Sequence, residues 1–160
     1  MMGHMETATE TPWLTPAQQQ VWRSFVSGTT VLNERLDRDL RSTHGLSVPE
    51  YEILVWLSES PDRSIRMAKL AAAVSHSRSR VTHTIARLER KGLVVRGQCS
   101  EDGRGVSAVL TDEGFRLLET AAHTHVRGVH SYLVENASPE EFAVLGQIMQ
   151  RVLTQLGGKC

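Results

Sequence analysis

Residues Ser75–Gly92, SHSRSRVTHTIARLERKG, read as one helix with two incompatible faces. Val81, Ile85 and Leu88 are four and three residues apart and form an apolar stripe at helical period. Ser79, Arg80, His83 and Arg87 point away from that stripe. Ser77 suits the N-cap, where its hydroxyl accepts a bond from an amide two or three residues on. Gly92 suits the helix end, in the left-handed conformation that glycine adopts cheaply. Arginines with short hydroxyl and imidazole groups fit phosphate oxygens and base edges in a major groove. A solvated surface helix has the same composition, so the flanks must decide.

Upstream, Met67 to Val74 is an Ala-rich helix with Leu70 and Val74 inward, and Ser75-His76 is a tight connection. Helix, short turn, helix is the helix-turn-helix pattern. Its second helix enters the major groove with its N-terminal residues nearest the bases. That assigns Ser77, Arg78, Ser79, Arg80, Thr82 and His83 to DNA, with Arg87 further along. Downstream the period changes. Leu93–Arg96 and Val106–Leu110 are β-rich runs joined through Gly97 to Gly105, a hairpin with a long tip. A hairpin directly after a recognition helix is a wing. Its tip arginine, Arg104, suits a narrow minor groove, where negative potential is enhanced. Asp102 could orient Arg104 or pair with Arg96. A solvated glycine loop is the alternative for the tip.

The remaining segments are helical. Thr15-Pro16-Ala17-Gln18 is a capping box with proline in the first turn. Trp22, Phe25, Thr29, Leu32, Leu36 and Leu40 then recur at spacings of three and four, predicting a long helix to about Thr43, stopped by Gly45. Ser47-Val48-Pro49-Glu50 is another capping box, with Glu50 as its acid, and opens a helix over 48–59 carrying Tyr51, Leu54, Val55 and Leu57. Pro61-Asp62 is a turn, and Ser64-Ile65-Arg66 has room for a small strand. Thr111-Asp112-Glu113 caps a helix over 112–135 with Phe115, Leu118, Ala122, Val129 and Leu133 on one face. His125 and Tyr132 fall near that stripe. Ser138-Pro139-Glu140-Glu141 opens the last helix, 139–156, with Phe142, Leu145, Ile148, Met149, Val152 and Leu156.

The expected fold is mainly α with a small β-hairpin wing. A winged helix-turn-helix lobe at 46–111 lies between helical dimerisation segments at 13–45 and 112–157, in one continuous domain. Residues 1–12 read as a tag remnant and disordered N-terminus. The apolar stripes at 22–40 and 142–156 exceed what a three-helix-plus-wing core needs. Surplus stripes of that kind pair with another chain. A two-fold dimer would present two recognition helices to half-sites about one helical turn (~34 Å) apart.

The chain of 160 residues has hydrophobic content of 40%, charged content of 22% and formal net charge zero, as in a soluble globular protein. The charge is not evenly spread. Residues 62–104 hold ten Lys/Arg and four Asp/Glu, an excess of six positive charges that the rest of the chain balances. Such asymmetry marks an anionic partner for the middle of the chain. Two cysteines, Cys99 and Cys160, form no disulfide framework, which fits a reducing cytosol. No run approaches the ~18 apolar residues of a spanning helix, and no secretory signal is visible. The expected location is cytoplasmic, with no membrane partner. No Gly-rich phosphate loop, metal-ligand pair or nucleophile–base constellation is present, so neither an enzyme nor a cofactor or metal is expected.

In combination these elements resemble the MarR family of bacterial transcription regulators. The resemblance rests on the Leu70-Ala71 helix, Arg80-Val81-Thr82 through Leu88-Glu89-Arg90-Lys91-Gly92-Leu93-Val94, Asp102-Gly103-Arg104 and Leu110-Thr111-Asp112-Glu113-Gly114. It covers about 15–156. It implies a winged-helix homodimer whose first and last two helices form the interface and which binds a pseudo-palindromic, double-stranded operator. Arg104 matches the family's minor-groove arginine, and Arg78, Ser79, Arg80, Thr82 and His83 match its recognition-helix positions. Two departures are Arg66, where the family often has a capping Ser or Thr, and Gly103, where many members carry a second basic residue. Members commonly respond to small aromatic or phenolic effectors, oxidants or metals. The family pocket, between the dimerisation helices and the DNA-binding lobe, makes Trp22, Tyr51, His125 and Tyr132 the ligand-binding candidates, although each also reads as ordinary core.

The leading function is a sequence-specific DNA-binding regulator, a repressor, with affinity tuned by a small ligand. One alternative is the same fold responding to oxidation at Cys99, whose neighbours Arg96 and Arg104 would lower a thiol pKa. Another is a winged helix that binds proteins and not DNA, but it would lack the basic concentration found here.

Overall fold

Three helices begin on reciprocal caps that seal their own first turn. Thr15 and Gln18 exchange amide-to-side-chain bonds at 2.9 and 3.2 Å. Ser47 pairs in the same way with Glu50, and Ser138 with Glu141. Each cap satisfies two amides that would otherwise be orphaned at a helix start. The computed structural model describes residues 11–74, 77–98 and 105–157. Its helices are α1 Pro16–His44, α2 Val48–Ser58, α3 Met67–Ala73, α4 Arg78–Arg90, α5 Asp112–Tyr132 and α6 Pro139–Gln155. Strands β1 Ser64–Arg66, β2 Val94–Gln98 and β3 Val106–Leu110 complete the order. The family of folds expected from the sequence, mainly α with a wing, is the one observed.

The wing is a three-stranded antiparallel sheet in the order β1-β3-β2. Val94 faces Leu110 and Gln98 faces Val106, so the hairpin register follows the two β-rich runs. Ser64–Arg66 joins on the other side of β3, with Ile65 opposite Ala108. The turn before it places Asp62 and Arg63 at φ 53° and 52°, a region costly for residues with a Cβ. Arg63 is held there by Phe115, whose ring lies 3.9 Å below the guanidinium, and by Asp112 at 3.2 Å.

The chain divides within α1 into two compact units, Met1–Val31 and Leu32–Cys160. In the first, the Trp22 and Phe25 rings stack with centroids 6.1 Å apart, and the Thr29 hydroxyl donates to the Phe25 carbonyl. Trp22 and Val31 remain 56% and 65% exposed. In the second unit, Leu40, Leu54, Leu57, Leu70, Ile85 and Leu88 are fully buried in one core that α2, α4, β3 and α5 share. Each such side chain contributes about 1.5–3 kcal/mol relative to exposure. Helix α6 has no buried residue, and Val144, Ile148 and Val152 are 52%, 40% and 41% exposed.

Helix α5 differs from expectation in two ways. It ends at Tyr132, not near 135, and a 3-10 turn Val134–Asn136 follows. There the Asn136 side chain donates to the Tyr132 carbonyl, a local bond that competes with helix continuation. Its buried face runs through Gly114, Leu118, Ala121 and Gly128. A Cβ on Gly128 would stand 2.8 Å from Leu36 Cδ2, so glycine is what lets α5 approach the second half of α1 this closely.

Candidate nucleic-acid interface

Helix α4 separates its faces as its spacing requires. Val81, Thr84, Ile85 and Leu88 are buried, while Ser77, Arg78, Ser79, Arg80, Thr82, His83 and Arg87 are exposed. Ser77 caps the helix by accepting the Arg80 amide at 3.4 Å, and its hydroxyl shares a bond with Ser79 at 3.2 Å. Thr82 donates to the Arg78 carbonyl at 2.9 Å, and the buried Thr84 donates to the Arg80 carbonyl at 2.9 Å. Gly92 at φ 71° ends the segment.

Behind this face lies a carboxylate that the sequence offered only as a cap. Glu50 is 2% exposed. It accepts the Ser47 amide at 2.8 Å, the Ser47 hydroxyl at 3.0 Å and Lys91 Nζ at 2.9 Å. Lys91 also donates to the Gly45 carbonyl, and Arg87 Nε stands 3.5 Å from the same carboxylate. Burial works to raise the Glu50 pKa, but the Ser47 amide and Lys91 outweigh it and hold the carboxyl below its ordinary range. Arg87 therefore bridges from the exposed face to this buried charge, whereas Arg78 and Arg80 have no ion pair among those found within the described residues. Asp37 behaves similarly. Burial raises its pKa, while Arg41 and the Val48 amide at 2.9 Å bring it below the usual carboxylate range.

The ligand-binding candidates are only partly brought together. Tyr51 is buried, and its ring lies 4.5 Å from that of His125, tilted by 34°. Burial pushes the Tyr51 pKa up and the His125 pKa down, Glu52 opposing the latter. His125 Nδ1 is buried with no hydrogen-bond partner among the described residues. Tyr132 is committed elsewhere: its hydroxyl donates to Asp39 at 2.8 Å, and Arg35 lies over its ring at 5.2 Å. Trp22 belongs to the N-terminal unit.

Arg104, Asp102, Gly103, Cys99, Cys160 and the Ser75-His76 connection lie outside the described residues. Arg96 pairs with Glu89 at 2.9 Å. Arg66 occupies the N-cap of α3 and makes no side-chain capping bond there. Among the described residues no cluster of His, Cys, Asp and Glu could hold a metal, and no helix is long and apolar enough to cross a membrane.

Comparison with known proteins points one way. The model of the MarR family matches residues 44–105. The solved structure of Sco3205, a MarR family transcriptional regulator from Streptomyces coelicolor in complex with DNA, is 42% identical. It superposes with a TM-score of 0.87 over 90% of this chain and 94% of that one. AbsC, a MarR family transcriptional regulator of the same organism, is 37% identical with a TM-score of 0.87, covering 93% of this chain and all of that one (100%). The HTH-type transcriptional repressor YetL of Bacillus subtilis is 31% identical over 112 residues, 68% of this chain and 66% of YetL.

Proposed function

The chain belongs to the MarR family of transcriptional regulators, and from that membership we propose that it binds a pseudo-palindromic operator as a homodimer and represses transcription. The exposed face of α4 carries the proposal: three arginines, three hydroxyls and an imidazole are presented together by a helix whose other face is locked into the core. Donor-rich side chains on the first turns of such a helix are the means of reading base edges. The proposed contacts are Ser77, Arg78, Ser79, Arg80, Thr82, His83 and Arg87, with Arg104 in the minor groove. No enzymatic activity and a cytoplasmic location accompany this function.

The test is selection of duplex DNA by the purified protein, with binding followed against salt. An enriched inverted repeat whose affinity falls steeply as salt rises supports the regulator. Absence of enrichment, with weak salt-independent binding, would leave a protein-interaction module. On the selected operator, Arg80→Ala is expected to cost about 1–3 kcal/mol and relax preference at one position of each half-site. Unchanged affinity and unchanged preference would remove Arg80 from the groove.

Dimerisation is proposed through the uncovered apolar residues of α1 and α6, in segments 13–45 and 112–157. Ile148→Glu should leave the fold intact, because Ile148 is exposed in the single chain, yet convert the dimer to a monomer. Sedimentation equilibrium decides; a dimer that survives the charge places the interface elsewhere.

A small aromatic or phenolic effector is the second proposal, supported by the bare, buried His125 Nδ1 beside Tyr51. A phenol hydroxyl is a suitable partner for that nitrogen. Bound there, it would shift DNA affinity only by preferring one conformation of the protein. Salicylate titrated into the protein–operator complex should release DNA from the natural protein and not from His125→Phe. Equal release from both would place any effector site elsewhere.

A further inference from the structure

The last turn of α1, outside the segment read as the DNA-binding lobe, reaches the same surface as α4. Arg41, Ser47, Ser79, Arg80, His83 and Arg87 line one open cleft of about 550 Å³. Three guanidinium groups thus converge from α1 and α4 on a single opening. The carboxylates that accompany them are engaged. Glu50 is buried and already bonded to Lys91 and Ser47. Asp37 accepts Arg41 Nε on one oxygen and the Val48 amide on the other. Because Asp37 is fixed by the start of α2, it holds the Arg41 side chain by a single nitrogen. Among the described residues the two terminal nitrogens of the fork have no partner, and the side chain is 61% exposed. The amides at the start of α2 are taken by its own cap and by Asp37, so the cleft owes its positive character to side chains.

We propose that Arg41 grips a backbone phosphate of the operator, with Asp37 as the residue that positions it. This rests on the operator-binding function proposed above. Side chains at the start of α4 would lie in the major groove, and a guanidinium standing beside that helix on a neighbouring element meets the sugar–phosphate edge before it meets bases. Arginine matches phosphate with two parallel N–H bonds, and such bonds fix register on the duplex without reading sequence. The interaction would tie α1 directly to the DNA.

The experiment replaces single phosphates of the selected operator by neutral methylphosphonates. Each duplex is titrated with the natural protein, Arg41→Ala, Arg41→Lys and Arg80→Ala. One phosphate per half-site should weaken the natural protein several-fold when neutralised yet leave Arg41→Ala unaffected. The plot of log affinity against log salt should be shallower for Arg41→Ala by about 0.9 for each phosphate that the arginine no longer neutralises. Arg41→Lys keeps the charge and should keep the slope while losing affinity. Methylphosphonate profiles identical in the natural protein and Arg41→Ala overturn the proposal. If Arg80→Ala still weakens binding, the operator-binding function stands without it. A natural protein that shows no salt-dependent duplex binding removes both. Free phosphate is the other source of the same chemistry. Saturable binding of inorganic phosphate that Arg41→Ala abolishes, with flat methylphosphonate profiles, would give the cleft to a small ligand and overturn the DNA assignment. Should Arg41→Ala melt early, Arg41→Gln keeps the comparison at matched stability.

Discussion

Gly114→Ala should lower the melting temperature by roughly 6–12 °C, the consequence of about 3 kcal/mol of overpacking in a chain of this size. The added Cβ would stand 2.2 Å from the Leu93 carbonyl oxygen and 2.7 Å from Leu110 Cδ1. The first of these atoms is backbone and cannot swing aside. The Leu93 carbonyl accepts the Thr111 amide at 3.1 Å, and the Thr111 hydroxyl both donates to Gly92 at 2.8 Å and caps α5 through the Gly114 amide. Relieving the clash therefore means opening the joint between the end of α4, the hairpin and the start of α5. Denaturant or thermal unfolding reads the effect, and a variant that melts with the natural chain would show that this joint yields easily. Gly114 lies in the run Leu110–Gly114 that resembles the family. In this chain the glycine has a steric cause: the first turn of the helix passes against another backbone.

Glu50→Ala should be nearly as damaging. It removes the buried acceptor of the Ser47 amide, while Lys91, 39% exposed, keeps the Gly45 carbonyl and can turn to water, so the expected cost is about 1–3 kcal/mol, that of leaving a buried donor unsatisfied. The pH dependence has a definite sign. The folded-state pKa of Glu50 is depressed below its ordinary value of 4.5, so the unfolded chain binds the proton more readily. Its stabilisation is fully present above that value and is lost as pH falls towards the folded pKa. Glu50→Gln keeps the shape and removes the titration. The stability difference between the natural chain and Glu50→Gln should be largest near neutrality and shrink on acidification below about pH 4.5. A difference that stays constant across about pH 3–7 would mean that the carboxylate charge contributes nothing. The remaining acid lability would come from Asp37, whose pKa is depressed in the same direction, and from His125. Acid must charge His125 against its burial.

The fold was legible where one residue type has one local use. Thr15, Ser47, Ser77, Thr111 and Ser138 each cap a helix start, and Gly45 and Gly92 each take the positive φ that ends one. The stripe of Val81, Ile85 and Leu88 oriented α4 correctly because no other arrangement hides all three. Helix α5 was harder. Hydrophobicity favours large side chains, so Phe115, Val129 and Leu133 stood for its inner face, while Gly114, Ala121 and Gly128 are buried there beside Leu118. Small residues bury well by admitting a neighbour, a property no apolar period records. The candidate face of α4 was legible as a row of polar types. Its support was not. Glu50 reads as a cap, and Asp37 and Arg41 carry no mark of a role, because the partners Lys91 and Val48 become neighbours only through the tertiary fold. The same limit applies to the sensing candidates: Tyr51 and His125 meet across 4.5 Å, whereas the Tyr132 hydroxyl turns to Asp39.

Thr82 has spent its only hydroxyl proton inside its own helix, on the Arg78 carbonyl. While that bond is kept, it can accept from a base but not donate to one, and it offers a methyl group besides. Guanine presents acceptors at its major-groove edge and has nothing to gain from such a residue, while thymine's methyl and the amino groups of adenine and cytosine do. In the proposed contacts Arg78 and Arg80, which only donate, would favour guanine. The spelling of an operator half-site would then show guanines set by the arginines, interrupted by a position that tolerates any letter except that one.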